Sequence, residues 1–439
     1  MRLKINNVAE LENLDLKIDG LTIIAGENNT GKSTINKCLY AAFNSLNSLS
    51  ENVFTDKINS FLTDLKEELI SNADGDDYRE RYFISKIIDD RSFVEEIKRL
   101  SLAAEINDIN DINDINNYIR NYLSKEIIER KLTLPIDNLN KEVFNIEPYL
   151  KINNDEIKKK ITTKMFQSEF NGTINNIHDD TSIAEIILEI KDNTTSYKIQ
   201  SNRVTEITTN LSLELQAVYV DNLYSLDNVM DVSHKRLFEK GHRTALIDSF
   251  FNFYDNNYTS EILKENRLKK IFSIIDDIAK GFIIFDAISG IRYRESETDG
   301  VEKALSFSNI SDGLKTFILL KELILNKTLK DNGTIIFDEP EIHLHPEWQI
   351  KLAELIVLIQ KEYGMHIVLT THSPYFLYAL EVFSTKYGIS EKTNYYYTQR
   401  KQGKITVENI GKNLEIIYSV LNKPFQTIED LTSDLYWWF

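Results

Sequence analysis

The sequence predicts an α/β fold: a mixed sheet flanked by helices and interrupted by a long helical insertion. Three observations predict it. The short apolar run Leu21-Thr22-Ile23-Ile24-Ala25 meets a glycine-bearing loop, Gly26 to Thr34, and then a helical pattern, Ile35 to Phe43. Later, two apolar runs, Thr334 to Phe337 and His366 to Thr371, each stop at polar residues, and the helical stretch Trp348 to Tyr363 separates them. From about Ser45 to Met165, apolar residues recur at helical spacing among many charges, as in Phe61, Leu62, Leu65 and Leu69. The expected division is a head of residues 1–44 and 180–439, with a mostly helical insertion at 45–179.

The elements follow in order. Met1 to Ile24 reads as two strands with a turn at Asp19-Gly20, and the loop and its helix come next. Inside the insertion lies a triplet repeat, Ile106 to Asn116, built from Ile, Asn and Asp. Asn and Asp are poor helix formers, so it reads as a loop or weak helix. Its acidic residues suggest Ca²⁺, but the glycine and closing Glu of an EF-hand loop are missing. From Ile183 the period becomes two: Ile183 to Ile190 and Ser196 to Ile199 form a hairpin, and Leu213 to Val220 forms a further strand ending at Asp221-Asn222. Helices are expected over Thr244 to Phe253 and Ser260 to Ala279, then a hairpin of Phe282 to Phe285 with Ile291 to Arg294. Ser311 opens an apolar helix. The last stretch reads as a strand pair (Asn394 to Tyr397, Ile405 to Val407), a helix from Asn413 to Leu421 and an aromatic end.

Composition bounds the function. The 439 residues are 42% hydrophobic and 27% charged, as in soluble globular proteins. No apolar run approaches the ~18 residues of a membrane span, and no N-terminal signal segment is evident. A single cysteine, Cys38, excludes an intrachain disulfide framework and suits a reducing cytoplasm. The net charge of −17 argues against a surface coated in positive potential, so DNA binding has no support from charge, although a local basic groove stays possible. Lys158-Lys159-Lys160 and Arg267 to Lys270 read as solvated helix faces.

Two motifs carry chemistry. Gly26-Glu27-Asn28-Asn29-Thr30-Gly31-Lys32-Ser33-Thr34 fits GxxxxGK followed by Ser or Thr, between a strand and a helix. Glycine lets backbone N–H groups turn inward around phosphate oxygens, and the helix N-terminus adds unpaired donors. Lys32 would lie along the β- and γ-phosphates of a nucleoside triphosphate, and Ser33 would place its hydroxyl on Mg²⁺. Asp338 and Glu339 end a buried strand, where one carboxylate can hold Mg²⁺ and its neighbour can orient and deprotonate a water.

With Asp338-Glu339-Pro340-Glu341, Ile342-His343-Leu344-His345-Pro346 and Thr370-Thr371-His372-Ser373-Pro374 in this order, the chain resembles the ABC-class ATPase heads. The branch it resembles contains RecF, OLD and SMC-type proteins and many prokaryotic defence ATPases. Ser311-Asp312-Gly313-Leu314-Lys315 resembles that class's signature. The resemblance implies an ABC-type head, a mixed sheet with an antiparallel subdomain, that binds ATP and Mg²⁺. It implies that Ser33 and Asp338 hold Mg²⁺, that Glu339 acts on the water, and that His372 contacts the γ-phosphate or the water. It further implies a homodimer or larger homo-oligomer, in which Ser311 and Gly313 reach the ATP of a second copy. His343 and His345 would then lie in the loop crossing that interface, a reading preferred over zinc because no third ligand is evident. Asp312 stands where the signature usually has glycine and puts a negative charge near the γ-phosphate. The class's glutamine is assigned to Gln167, with Gln216 as the alternative; His242 and Arg243 read as surface or packing residues. By family analogy the expected role is control of a separate effector or toxin in antiviral defence, with DNA repair or chromosome maintenance as the alternative.

Overall fold

Residues 2–26 make three strands rather than the expected two: β1 (Arg2–Val8), β2 (Leu11–Lys17) and β3 (Leu21–Gly26). The additional turn falls at Ala9, where the backbone is left-handed (φ 49°). Every residue of β3 is buried, which explains its unbroken apolar run: a strand covered on both faces has no reason to alternate. The structure is a computed structural model and describes residues 1–73, 78–107, 110–134, 139–176, 182–221, 241–251, 258–286, 290–296, 303–401 and 404–436.

From β3 the chain enters α1 (Lys32–Asn44) and then the helices α2 (Leu49–Ser71), α3 (Tyr78–Ile88), α4 (Arg91–Asn107), α5 (Asn110–Arg130), α6 (Glu147–Leu150) and α7 (Asn154–Phe170). The chain divides into two compact units, one of Met1–Asn47 with Thr162–Phe439 and one of Ser48–Ile161. The second unit is narrower than residues 45–179. It has its own core, in which Ile58, Phe61, Leu65, Phe93, Ile97, Ile119 and Leu123 are buried together. Burying each such side chain stabilises by ~1.5–3 kcal/mol. Asp108 and Ile109 of the triplet repeat lie outside the described residues; the rest of it is helical, and Ile115 is buried.

In the first unit β4 (Ala184–Ile190) and β5 (Asn193–Gln200) form the expected hairpin, and β6 (Arg203–Thr208) extends it. β7 (Ala217–Val220) follows, then α8 (His242–Phe251) and α9 (Tyr258–Asp276). β8 (Phe282–Asp286), β9 (Gly290–Arg294) and β10 (Leu305–Ser306) make a separate three-stranded sheet. Then come α10 (Asp312–Leu325), β11 (Thr334–Asp338), α11 (Pro346–Tyr363), β12 (His366–Thr371), α12 (Pro374–Lys386), β13 (Thr393–Lys401), β14 (Lys404–Asn409), α13 (Glu415–Leu421) and α14 (Lys423–Tyr436). The last helix covers part of what reads in sequence as an aromatic tail; Trp437 to Phe439 lie outside the described residues.

The main sheet has eleven strands in the order β6-β5-β4-β1-β2-β14-β13-β3-β12-β11-β7. One end is antiparallel (β6 to β2), and the other, from β13 to β7, is parallel. The C-terminal strand pair is not a satellite. β13 pairs with β3 in parallel, Thr393 opposite Leu21 through Thr398 opposite Gly26, and joins the two halves of the sheet. Among the described residues no helix is long and apolar enough to cross a membrane.

Candidate functional site

Parallel strands β3, β11 and β12 end side by side, and their C-terminal ends deliver Gly26, Asp338 and Thr371 to one crevice, where ligands of open α/β sheets bind. The loop after β3 is shaped by backbone. Asn29 (φ 61°) and Gly31 (φ 78°) are left-handed, so successive N–H groups turn inward ahead of α1. At Gly26 a Cβ would fall 2.3 Å from the carbonyl oxygen of Thr398 on β13, a clash that backbone cannot relieve. The Thr30 hydroxyl meets the Thr398 hydroxyl at 2.7 Å and donates to the Glu27 carbonyl at 2.7 Å, so β13 braces the loop from behind. Asn28, Asn29, Thr30, Gly31, Lys32, Ser33, Thr34 and Glu339 line a cleft of about 430 Å³.

Lys32 is buried. Its ammonium donates to the carbonyls of Gly26 (3.1 Å) and Glu27 (2.9 Å) and stands 3.3 Å from Glu339 Oε1. Glu339 is itself left-handed (φ 50°), an uncommon conformation for a non-glycine residue that costs ~1–2 kcal/mol. Its N–H, donated to the Thr370 carbonyl (3.2 Å) and hydroxyl (3.1 Å), holds it there. His372 Nδ1 lies 3.4 Å from Glu339 Oε1. His372 holds the Glu339 carboxyl below its usual range, outweighing burial, with Lys32 adding to the effect. Glu339 in turn raises the imidazole.

His372 is placed by its neighbours in sequence. Thr371 ends β12; Ser373 caps α12, accepting from the Phe376 N–H at 3.2 Å, and Pro374 takes the first helical turn. Buried Glu341 ties down the same corner, accepting from the Thr371 hydroxyl (2.5 Å) and the His372 N–H (3.3 Å). Ser33 and Asp338 line a second cleft of about 210 Å³ with Asp221, Asp312, Thr316, Glu339 and His343. Both oxygens of Asp338 are engaged: Oδ1 accepts from the Thr370 hydroxyl (2.5 Å) and Oδ2 from the Tyr219 hydroxyl (2.9 Å). Ser33 is exposed to this cleft, so a hydroxyl and a carboxylate, both hard oxygen donors, share it beside the loop and suit Mg²⁺.

The remaining sequence-derived residues divide. Ser311 caps α10 with its backbone while its side chain makes no capping bond, and it is exposed. Gly313 is buried, and a Cβ there would meet the Trp348 ring at 3.1 Å and Leu344 at 3.2 Å, so the glycine serves packing within this chain. The Asp312 charge is partly offset by buried Lys315 at 3.2 Å. His345 caps α11, accepting from the Glu347 N–H at 3.4 Å, and His343 is exposed at φ 69°. Gln167 is not brought to the crevice: it lies on α7 and donates to the Asn202 carbonyl at the β5–β6 turn (3.0 Å). Gln216 precedes β7 and bonds Asn47. On the side away from β12, β11 pairs with β7, and the residue that follows β7 into the cleft is Asp221. One signal could have found it: Val218-Tyr219-Val220-Asp221 repeats the form of Ile335-Ile336-Phe337-Asp338, an apolar strand ending in a carboxylate.

His242 is no surface residue. It is buried between two carboxylates, Nδ1 at 2.6 Å from Glu169 and Nε2 at 3.0 Å from Asp221, which also pairs with Arg243. Its ring stacks on Tyr219 (4.2 Å between centroids) and meets the edge of Tyr40. Burial pushes the imidazole down, but Asp221 and Glu169 outweigh it and raise His242 to about 9. Asp221 is lowered, since His242 and Arg243 outweigh the effect of burial. The stability contributed by the raised imidazole is full below ~6.5, its unfolded value, and is lost as pH rises through about 9. A thermal melting series should therefore show the midpoint falling between pH 7 and 9.5, with a smaller fall in His242→Gln.

A family model described as AAA ATPase domain matches residues 1–377, which include the loop, Asp338-Glu339 and His372. The Septu protein PtuA of Bacillus thuringiensis is 31% identical over 169 residues, 34% of this chain; the match spans 39% of PtuA's own length. Among solved structures, the SMC head domain from Thermotoga maritima is 10% identical with a TM-score of 0.37, covering 93% of this chain and 98% of that one. An SMC head bound to the C-winged helix domain of ScpA is 10% identical with a TM-score of 0.42, covering 94% and 98%. With its family model spanning most of the sequence and the loop at Gly26 to Thr34, the strand end at Asp338-Glu339 and His372 in one crevice, the chain belongs to the AAA ATPase domain family and is an ATPase.

Proposed function

We propose that this ATPase is a switch that dimerises around ATP and controls a separate effector in prokaryotic antiviral defence. The carrying observation is the pairing of Lys32 with Glu339. A γ-phosphate entering the loop competes for Lys32 and frees the Glu339 carboxylate, so the water-activating group becomes available only when the triphosphate is seated. In this reading the backbone N–H groups of Asn28 to Gly31 and of Thr34 cradle the phosphates with Lys32, and Glu339 takes the proton of the attacking water. His372 orients that water or the γ-phosphate. When bound, Mg²⁺ would supply charge neutralisation for the triphosphate. Ser33 and Asp338 would hold it; among the described residues no group of three acidic, His or Cys side chains is placed to hold a metal, so phosphate and water would complete its shell.

Ser311, exposed at the start of α10 with no side-chain capping bond, supports the second half of the reading, a signature that serves another copy's ATP. Similarity to the Septu protein supports a defence role. The test is assembly. Glu339→Gln with saturating ATP should double in mass by light scattering and return to the starting mass in ADP. Products of adjacent genes should co-purify with one of the two states. An unchanged mass with ATP bound would sink the dimer; salt-sensitive DNA binding without a protein partner would point to a DNA clamp instead.

A further inference from the structure

The buried cluster of Tyr40, Glu169, Tyr219 and His242 lies beside the crevice but has no part in the chemistry described above. Its arrangement has a direction. Tyr219 is opposite Ile336 in the parallel pair β7–β11, two residues before Asp338. An aromatic side chain is long enough to reach such a diagonal neighbour, and the Tyr219 hydroxyl meets Asp338 Oδ2 at 2.9 Å. Phenylalanine would fill the same space; only the hydroxyl explains that contact. The ring is itself fixed: His242 stacks on it at 4.2 Å and 25°. His242 is in turn held through Nδ1 by Glu169 at 2.6 Å, its Nε2 stands 3.0 Å from the Asp221 carboxylate, and its backbone N–H donates to Glu169 at 2.8 Å.

We propose that Tyr219 is a positioning residue for the metal-holding carboxylate, and that His242, clamped by Glu169 and Asp221, locks the tyrosine ring in place. The hydroxyls of Thr370 and Tyr219 each take one lone pair, one on each oxygen of Asp338, and so set the plane of the carboxylate. The carboxylate so fixed lines the cleft shared with Ser33. Without the Tyr219 hydroxyl the carboxylate pivots about its single remaining bond. Groups of this kind, one bond behind a metal ligand, typically affect metal affinity by about 10- to 100-fold when removed.

The inference rests on the reading that Ser33 and Asp338 hold Mg²⁺ beside ATP. The test measures binding of a fluorescent (mant-labelled) ATP to the full chain across a Mg²⁺ titration, with a second series in EDTA. Tyr219→Phe, which keeps the stacked ring, should need about tenfold more Mg²⁺ for half-maximal binding and bind as wild type does in EDTA. His242→Gln should give a smaller shift in the same direction, about two- to threefold. A Tyr219→Phe curve that overlays wild type would overturn the positioning role, and equal weakening with and without Mg²⁺ would overturn it in favour of packing alone. Lys32→Ala serves as a separate control: if it binds mant-ATP as well as wild type does, the nucleotide site itself is wrong.

Discussion

Glu339→Gln is expected to bind ATP at least as tightly as wild type and to hydrolyse it about 100- to 10,000-fold more slowly, the range for loss of a general base. The amide is nearly isosteric, so the left-handed turn at residue 339 and its N–H bonds to Thr370 survive. What disappears is the carboxylate that can accept a proton. Affinity should not fall, because the variant also loses the resting partner of Lys32, 3.3 Å away, and the ammonium becomes freer for phosphate. Binding is read with mant-ATP and turnover by phosphate release. A variant that turns over at the wild-type rate would move the base to another group, with His372 next in line.

Lys32→Ala is expected to weaken ATP binding roughly 10- to 100-fold, the value of one charged hydrogen-bond donor, and to cut turnover at least as far. It has a second effect that loss of a ligand contact alone would not cause. Among the described residues Glu339 would keep His372 as its one basic partner, so the nucleotide-free protein should lose about 1–3 kcal/mol against urea. The double variant Lys32→Ala/Glu339→Gln should recover part of that loss. If the two substitutions are additive in stability, the resting pair contributes nothing and the gating argument built on it fails.

The parts of the site that were legible in the sequence are the contiguous ones. The phosphate loop, the Asp338-Glu339 strand end and the Thr371-His372-Ser373-Pro374 corner each place their chemistry within a few residues, where strand, turn and cap signals coincide. What topology alone brings together left no local trace. Tyr219 and Asp338 are 119 positions apart, and His242 and Glu169 are 73 apart. Gln167 illustrates the converse: its residue type fits, but its helix carries it to the β5–β6 turn. The compact unit Ser48–Ile161 differs from the expected insertion at 45–179 for a related reason. Helical periodicity shows that α7 is a helix, but not that residues from Thr162 onward belong with the sheet-bearing unit. The pairing of β13 with β3 was equally hidden, because a two-strand signal does not say which sheet the pair will join.

That pairing sets a schedule for making the protein. β3 is synthesised well before both of its flanking strands, β12 and β13, which are made of residues 366–401. At ~5–20 residues per second, the loop waits roughly 20–70 s for the walls that brace it. Closing contacts this distant in sequence is also slow once they exist. A nascent chain that has not yet reached residue 401 therefore carries the complete loop motif without both of the strands that flank β3.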